Sequence, residues 1–182
     1  MTCIVGIVDK DHKKVIIGGD SAASSDVSIT LRIDSKVFSN GDFIFGCTSS
    51  YRMLQLLRYS FKPPKIKKNK DIFEYMCTDF IEEVRNCFTK GGYIQKNDGG
   101  DDSGGNFLVG YKNRLFYIGD DFQVGESLDF FEAIGCGANF ALGSLYAIQG
   151  STHSAKAKVL IALGAAEYYN GNVKAPFIFL ET

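Results

Sequence analysis

The stretch Thr2-Cys-Ile-Val-Gly-Ile-Val-Asp9, followed by Val15-Ile-Ile-Gly-Gly-Asp20, decides the fold of this 182-residue chain. The first segment alternates β-branched side chains with small or polar ones, and the second repeats this composition after a charged turn. Such a pattern predicts a β-hairpin at the very start of the chain. If Met1 is removed, Thr2 carries a hydroxyl and a free α-amine, which together are a nucleophile and its base.

Length and composition favour one globular domain spanning residues 1–182. The chain is 45% hydrophobic and 23% charged with a formal net charge of −1, so it shows no general attraction to nucleic acid. Its five cysteines are widely spaced and form no Cys-x-x-Cys pair, which favours reduced thiols. We find neither a signal peptide nor a run of about eighteen apolar residues. A cytoplasmic protein that does not bind membranes is therefore expected.

Turn signals and hydrophobic spacing divide the rest of the chain into strands and helices. Strand-like segments are expected at residues 25–35, 36–38, 43–45, 107–111, 115–118, 122–124 and 175–180. Helices are expected after Ser49 or Ser50 up to Pro63, from the cap Asp71 to Lys90, after Gly137, and from the cap Ser154 to about Tyr169. A glycine- and aspartate-rich loop is expected at residues 97–105.

This order of elements predicts two stacked sheets with a helical layer on each outer face. Strands come first, then two helices, further strands, two more helices and a closing strand. The acidic pairs Asp101-Asp102 and Asp120-Asp121 could bind a cation, but no third ligand is spaced near either pair. Solvated turns are the favoured interpretation, and no metal or cofactor is expected.

Five motifs, found in order on the expected elements, resemble the proteasome family over nearly the whole chain. They match proteasome β subunits and the bacterial proteasome-like peptidase that works with an unfoldase ATPase. The motifs are the opening Thr2-Cys-Ile-Val-Gly-Ile7, the strand end Gly18-Gly-Asp-Ser21, Lys36 sixteen residues after Asp20, the turn Gly46–Ser50, and Ile134-Gly-Cys-Gly137.

The resemblance implies an α+β fold, a four-layer αββα sandwich of two antiparallel sheets between helices, as in the N-terminal nucleophile hydrolases. It also implies a threonine peptidase in which the Thr2 hydroxyl attacks a peptide carbonyl and the α-amine moves protons. Lys36 would favour the ionised hydroxyl, and Asp20 would hold Lys36 charged and oriented. No histidine is required, because an α-amine titrates near pH 7.7–8.0 in model peptides.

The same resemblance assigns supporting roles. The backbone N–H of Ser50 would stabilise the oxyanion, and Cys136 takes the place of a family serine near the threonine. Ser21, Ala22 and Thr48 would shape the substrate pocket, and their small side chains predict a roomy pocket without fixed charge. The family's Asp-x-x-Ser-Gly stretch, which supports the threonine amine, has no clean match in residues 167–174.

Partners follow from the resemblance alone: a peptide or unfolded-protein substrate, a homo-oligomeric ring, and an ATPase unfoldase. Two other functions stay open. One is a non-catalytic subunit that serves ring assembly, favoured by the altered support residues. The other is an amidase of the same nucleophile class that acts on a small amide.

Overall fold

The computed structural model describes residues 2–25, 28–97, 100–102 and 104–182. Met1, Val27 and the side chain of Asp101, which entered the predictions above, lie outside the described part. The strands are β1 (Ile4–Asp9), β2 (Lys14–Gly19), β3 (Ala22–Ser24), β4 (Ile29–Leu31), β5 (Val37–Asn40), β6 (Phe43–Cys47), β7 (Gln95–Asn97), β8 (Gly100–Asp102), β9 (Phe107–Tyr111), β10 (Arg114–Ile118), β11 (Val124–Gly125), β12 (Phe131–Ile134) and β13 (Ile178–Glu181). The helices are α1 (Tyr51–Tyr59), α2 (Ile72–Tyr75), α3 (Ile81–Lys90), α4 (Ala138–Ile148) and α5 (Ala155–Tyr169), with a π-helical segment at Met76–Phe80 between α2 and α3.

Two antiparallel sheets form the centre of the molecule, and the predicted αββα sandwich is confirmed. The first sheet has the strand order β12-β1-β2-β13, and the second has the order β11-β10-β9-β6-β5. Helices α4 and α5 pack on the outer face of the first sheet. Helices α1 and α3 cover the second sheet.

The opening hairpin lies at the centre of this arrangement because both of its faces are buried. In β1, Ile4 packs between the two sheets, whereas Val5 and Ile7 pack against α4 and α5. The hairpin register runs from Ile4 opposite Gly19 to Asp9 opposite Lys14. Side chains of a strand alternate between faces, so the β-branched pattern of residues 2–9 serves two cores at once.

Side-chain caps start the helices where the sequence placed them. The Ser50 hydroxyl accepts the N–H groups of Arg52 and Met53 at the start of α1. Asp71 caps α2 through the N–H of Glu74, and Ser154 caps α5 through the N–H of Ala157. These predictions hold because capping depends on residues within one helical turn.

Several predicted boundaries are wrong. Among the described residues 25 and 28–35, only Ile29–Leu31 forms a strand, whereas a strand was expected over residues 25–35. The strand expected at residues 122–124 is only Val124–Gly125, because Phe122 has a φ of 66° in a turn. The closing strand begins at Ile178 rather than residue 175, since the N–H groups of Lys174 and Ala175 donate to side chains and Pro176 has none. Part of the loop expected at residues 97–105 pairs instead, with β7 antiparallel to β8.

Across the described ranges, no helix combines the length and the apolar character that crossing a membrane requires.

Candidate active site

Thr2 precedes β1 and is only 3% exposed. A tight turn, Gly135–Gly137, holds its backbone: the N–H of Gly137 donates to the Thr2 carbonyl at 3.3 Å. Gly135 has a φ of 95°, and a Cβ placed there would lie 2.2 Å from the Thr2 carbonyl oxygen. Only glycine fits this position, because it combines the unusual φ with room for the carbonyl.

Cys136, the central residue of this turn, contacts the Thr2 backbone directly. Its Sγ accepts the Thr2 N–H at 3.3 Å and lies 3.5 Å from the Thr2 carbonyl oxygen. The Asn170 side chain donates to the Cys136 carbonyl at 2.9 Å and so supports the turn from α5. The predicted supporting residue therefore lies beside Thr2, in the position expected from the resemblance.

Asp20 and Lys36 form a buried ion pair behind Thr2. Lys36 Nζ lies 2.8 Å from Asp20 Oδ1, and the two side chains are 4% and 0% exposed. The carboxylate also accepts backbone N–H groups from Cys3 at 3.0 Å, Ala22 at 3.1 Å and Lys174 at 3.4 Å. Three backbone donors thus fix the orientation of the carboxylate that holds the lysine.

Burial governs the electrostatics of this cluster. It lowers the pKa of Lys36, and the neighbouring Asp20 charge and hydrogen bond oppose that shift. It raises the pKa of the Cys3 thiol to about 12, with a further contribution from Asp20. Cys3 therefore stays a neutral thiol at cellular pH and does not compete with Asp20 for the lysine charge.

A cavity of about 180 Å³ brings several of the predicted residues together. Thr2, Lys36, Ala22, Thr48 and Ser50 all line it. Segments that are far apart in the chain therefore meet at one opening, with Thr2 and Lys36 on the same surface.

Ser21 is a correction to the predicted pocket. It does not line this cavity; its Oγ donates to the Pro176 carbonyl at 2.6 Å and its N–H donates to the Lys174 carbonyl. The side chain therefore ties the end of β2 to the loop before β13 rather than facing substrate.

Ser50 is in place, but its N–H is already engaged. This N–H donates to the Thr48 carbonyl at 2.7 Å across Ser49, whose φ is 65°. The bond closes a three-residue γ-turn, which is rare with a positive central φ. Asn106 holds Thr48 in turn, since its carbonyl accepts the Thr48 N–H at 3.2 Å and the Thr48 Oγ1 at 3.0 Å. The expected oxyanion donor is thus not available in this conformation.

Sequence reasoning missed Arg32, which lines the same cavity. The expectation of a pocket without fixed charge is therefore wrong. Arg32 lies between the short strand β4 and Lys36, in a segment that matches no motif. The sequence signal for Arg32 is its position between Leu31 and Ile33. In an extended chain, this alternation places Arg32 on the face opposite to the two apolar side chains.

Glu167 and Asn170, in the stretch Glu167-Tyr-Tyr-Asn170-Gly171, also contact the surroundings of Thr2. The spacing of this stretch equals that of Asp-x-x-Ser-Gly with longer side chains at both polar positions. Asn170 reaches the Cys136 carbonyl, and Glu167 accepts the Ala175 N–H at 3.0 Å, next to the Lys174 N–H that reaches Asp20. The support is altered in chemistry but still connects to the site.

The remaining candidate groups lie elsewhere. His12 and His153 line a separate cavity that Thr2 and Lys36 do not reach. All five cysteines are free thiols. In residues 2–25, 28–97, 100–102 and 104–182, no three His, Cys, Asp or Glu side chains are grouped so as to hold a metal ion.

Neither protein-family models nor curated protein sequences match this chain. Solved structures do match. BPH from Thiobacillus denitrificans has a TM-score of 0.81 at 21% identity, covering 98% of this chain and 97% of its own. HslV from Trypanosoma brucei has a TM-score of 0.69 at 15% identity, covering 99% of this chain and 98% of that one. The chain has the proteasome-like N-terminal nucleophile hydrolase fold.

A third structure, an Anbu mutant from Hyphomicrobium sp. strain MC1, has a TM-score of 0.67 at 15% identity and covers 98% of this chain and 80% of that one. At these identities the likeness concerns the fold alone. What the site does must therefore be argued from its own residues.

Replacing Asp20 by Asn should destabilise the protein by about 3–5 kcal/mol, because Lys36 would be left buried without a counter-charge. The double variant Asp20→Asn/Lys36→Met should recover most of this loss. Urea unfolding of the wild type, both single variants and the double variant measures the coupling. Additive single-variant losses would show that the two side chains do not act as a pair.

The pH dependence checks the same pair. Because the pKa of Lys36 is lowered from 10.5, the folded chain binds fewer protons than the unfolded chain between the two pKa values. The unfolding free energy should therefore rise with pH across that window. The increase of the unfolding free energy with pH should be smaller in Lys36→Met, because methionine has no titrating group.

Proposed function

We propose that the chain is an N-terminal nucleophile hydrolase, specifically a threonine peptidase that uses Thr2 once the preceding residue is removed. The observation that carries this proposal is the shared cavity of Thr2 and Lys36, with the buried Asp20 holding the lysine. A buried ion pair is costly to maintain, and its placement beside a hydroxyl nucleophile is typical of a site where a charge develops.

In the proposed reaction, the Thr2 Oγ attacks the carbonyl carbon of the scissile peptide. The free α-amine takes the hydroxyl proton and passes it to the departing amine as the C–N bond breaks. A water molecule then attacks the ester, gives its proton to the α-amine, and releases the acid as the threonine oxygen is reprotonated. An α-amine suits both transfers, because it titrates near pH 7.7–8.0 in model peptides.

Lys36 and Asp20 have separate roles in this proposal. The ammonium of Lys36 lowers the free energy of the ionised Thr2 oxygen, and low exposure strengthens that interaction. Asp20 keeps the lysine charged against the burial that lowers its pKa. Cys136 and Asn170 hold the Thr2 backbone, so that its amine and hydroxyl keep one orientation.

The oxyanion requires a donor, and we propose that the Ser49 turn opens to supply it. A substrate carbonyl oxygen that gains negative charge would compete with the Thr48 carbonyl for the Ser50 N–H. Opening also moves Ser49 away from a φ of 65°, which is unfavourable for a residue with a Cβ. The serine side chain thus favours the conformation that exposes the donor.

The variant Ser49→Gly should lower kcat by up to about fivefold, because glycine removes roughly 1 kcal/mol of strain from the closed turn and so favours it. Peptide hydrolysis under saturating substrate measures the effect. Ser49→Ala, which keeps the Cβ, is the control and should leave kcat near the wild-type value. An unchanged kcat in Ser49→Gly would mean that the turn need not open.

Intact mass spectrometry with epoxomicin, the compound bound to BPH in a second matching structure, tests the nucleophile. We expect protein purified from cells to begin at Thr2 and to gain one adduct. Thr2→Ala should gain none, and Thr30→Ala, a control at an exposed threonine, should react as the wild type. A chain that keeps Met1 and forms no adduct would contradict the proposal.

A non-catalytic assembly subunit is the second candidate, and the engaged Ser50 N–H is the observation that favours it. It predicts that the chain forms no adduct with epoxomicin, whether it begins at Met1 or at Thr2. An amidase with the same nucleophile would form the adduct but would hydrolyse small amides and not peptides. A panel containing both substrate classes separates it from a peptidase.

We also propose that the chain assembles as a homo-oligomeric ring. An ATPase unfoldase would bind this ring and deliver unfolded protein into it. Apolar and aromatic side chains remain exposed on α4 and α5, where they offer a surface for a second copy. Tyr146 is 65% exposed, Tyr168 is 82% exposed, and Leu160 is 49% exposed.

Multi-angle light scattering at micromolar concentration should therefore give a mass several times that of one 20.0 kDa chain. Leu160→Glu should shift the population toward smaller species, since it puts a charge into the apolar surface. Gln55→Glu adds the same single negative charge at an exposed position of α1, on the other side of the molecule, and is the control for the change in net charge. A monomeric wild type would remove the ring from the proposal.

A further inference from the structure

Arg32 is held in a defined orientation at the cavity beside Thr2. Its Nε donates to Asp34 Oδ1 at 2.7 Å, and its Nη2 donates to the other oxygen of the same carboxylate. Its guanidinium carbon lies 4.0 Å from the centre of the Tyr51 ring, a cation–π distance. Two contacts of different kinds therefore restrict a side chain that would otherwise have many rotamers.

The charges that line this cavity are of one sign. Among the described residues that line the cavity, Arg32 and Lys36 are the charged ones. None of the described lining residues is Asp, Glu, Asn or Gln. The counter-charges Asp34 and Asp20 do not line the cavity. A ligand in the cavity thus contacts the side chains of Arg32 and Lys36, whereas the carboxylates of Asp34 and Asp20 lie outside the cavity lining.

The lining is also rich in hydrogen-bond donors. The Nη1 group of Arg32 makes no hydrogen bond within the described part of the chain, since Asp34 engages only Nε and Nη2. The buried hydroxyl oxygens of Ser24 and Tyr51 also have no partner among the described residues. Buried donors without acceptors cost free energy, which a ligand with acceptor oxygens would recover.

We propose that this cavity receives an acidic side chain, Glu or Asp, from the substrate residue on the acyl side of the cleaved bond. The inference rests on the proposed peptidase function and names its substrate class. The carboxylate accepts hydrogen bonds from Arg32 Nη1 while Nε and Nη2 stay on Asp34, because a guanidinium has five N–H donors. A lysine or arginine at the same substrate position meets two like charges and is rejected.

Binding is measured in the Thr2→Ala protein, so that no ligand is consumed. The probes are acetyl-Ala-Ala-Ala-Xaa peptides with C-terminal amides, in which Xaa is Glu, Gln, Met or Lys, titrated by calorimetry. We expect the Glu peptide to bind at least about tenfold more tightly than the Gln and Met peptides, and the Lys peptide to bind most weakly. The preference should shrink at high salt, as for a partly exposed ion pair.

Two variants with opposite expected effects on the Glu preference test whether Arg32 causes it. Arg32→Met, made in Thr2→Ala, should abolish the Glu preference and leave the Met peptide nearly unchanged. Asp34→Asn should increase the Glu preference, because it removes a negative charge that lies beside the guanidinium and repels the substrate carboxylate. Arg52→Met is the matched control, since Arg52 is exposed on α1 and does not line this cavity.

Equal affinity for the Glu and Met peptides, or no binding of the Glu peptide, would overturn the inference. So would a Glu preference that survives Arg32→Met. The epoxomicin adduct is measured separately, in the protein that keeps Thr2. The peptide titrations therefore test the substrate class, and the adduct tests the nucleophile.

Discussion

The buried ion pair between Asp20 and Lys36 joins the two sheets at the end of the sandwich. Asp20 follows β2 of the first sheet, and Lys36 precedes β5 of the second. Two charges removed from water are stable only when each has close partners, so the sheets must keep this separation and register. The backbone donors from Cys3, Ala22 and Lys174 draw the chain start and the loop before β13 to the same carboxylate.

Thr2 is positioned from the opposite side by a turn that tolerates little change. The absent Cβ at Gly135 lets the turn lie against the Thr2 carbonyl, and Cys136 contacts the Thr2 N–H. Asn170, at the end of α5, supports that turn from behind. The position of Thr2 therefore depends on β1, on the β12–α4 connection and on Asn170 after α5.

Local patterns predicted the elements well because their causes are local. The alternation of residues 2–9 predicted the first hairpin, and Asn40-Gly41 predicted the second. The resemblance to the proteasome family, rather than a local pattern, suggested that Asp20 and Lys36 pair. The availability of the Ser50 N–H was not predictable in this way, because its acceptor belongs to Thr48, which is itself held by Asn106, 56 residues beyond Ser50 in the chain.

The sequence by itself determined the order of strands and helices and the helix caps, since periodicity and short-range hydrogen bonding are encoded by neighbours. Only the tertiary structure decided which groups face the cavity. It turned Ser21 toward Pro176, engaged the Ser50 N–H, and placed Arg32 in the same cavity as Thr2. These outcomes depend on contacts between distant segments, whose geometry is set when the two sheets pack together.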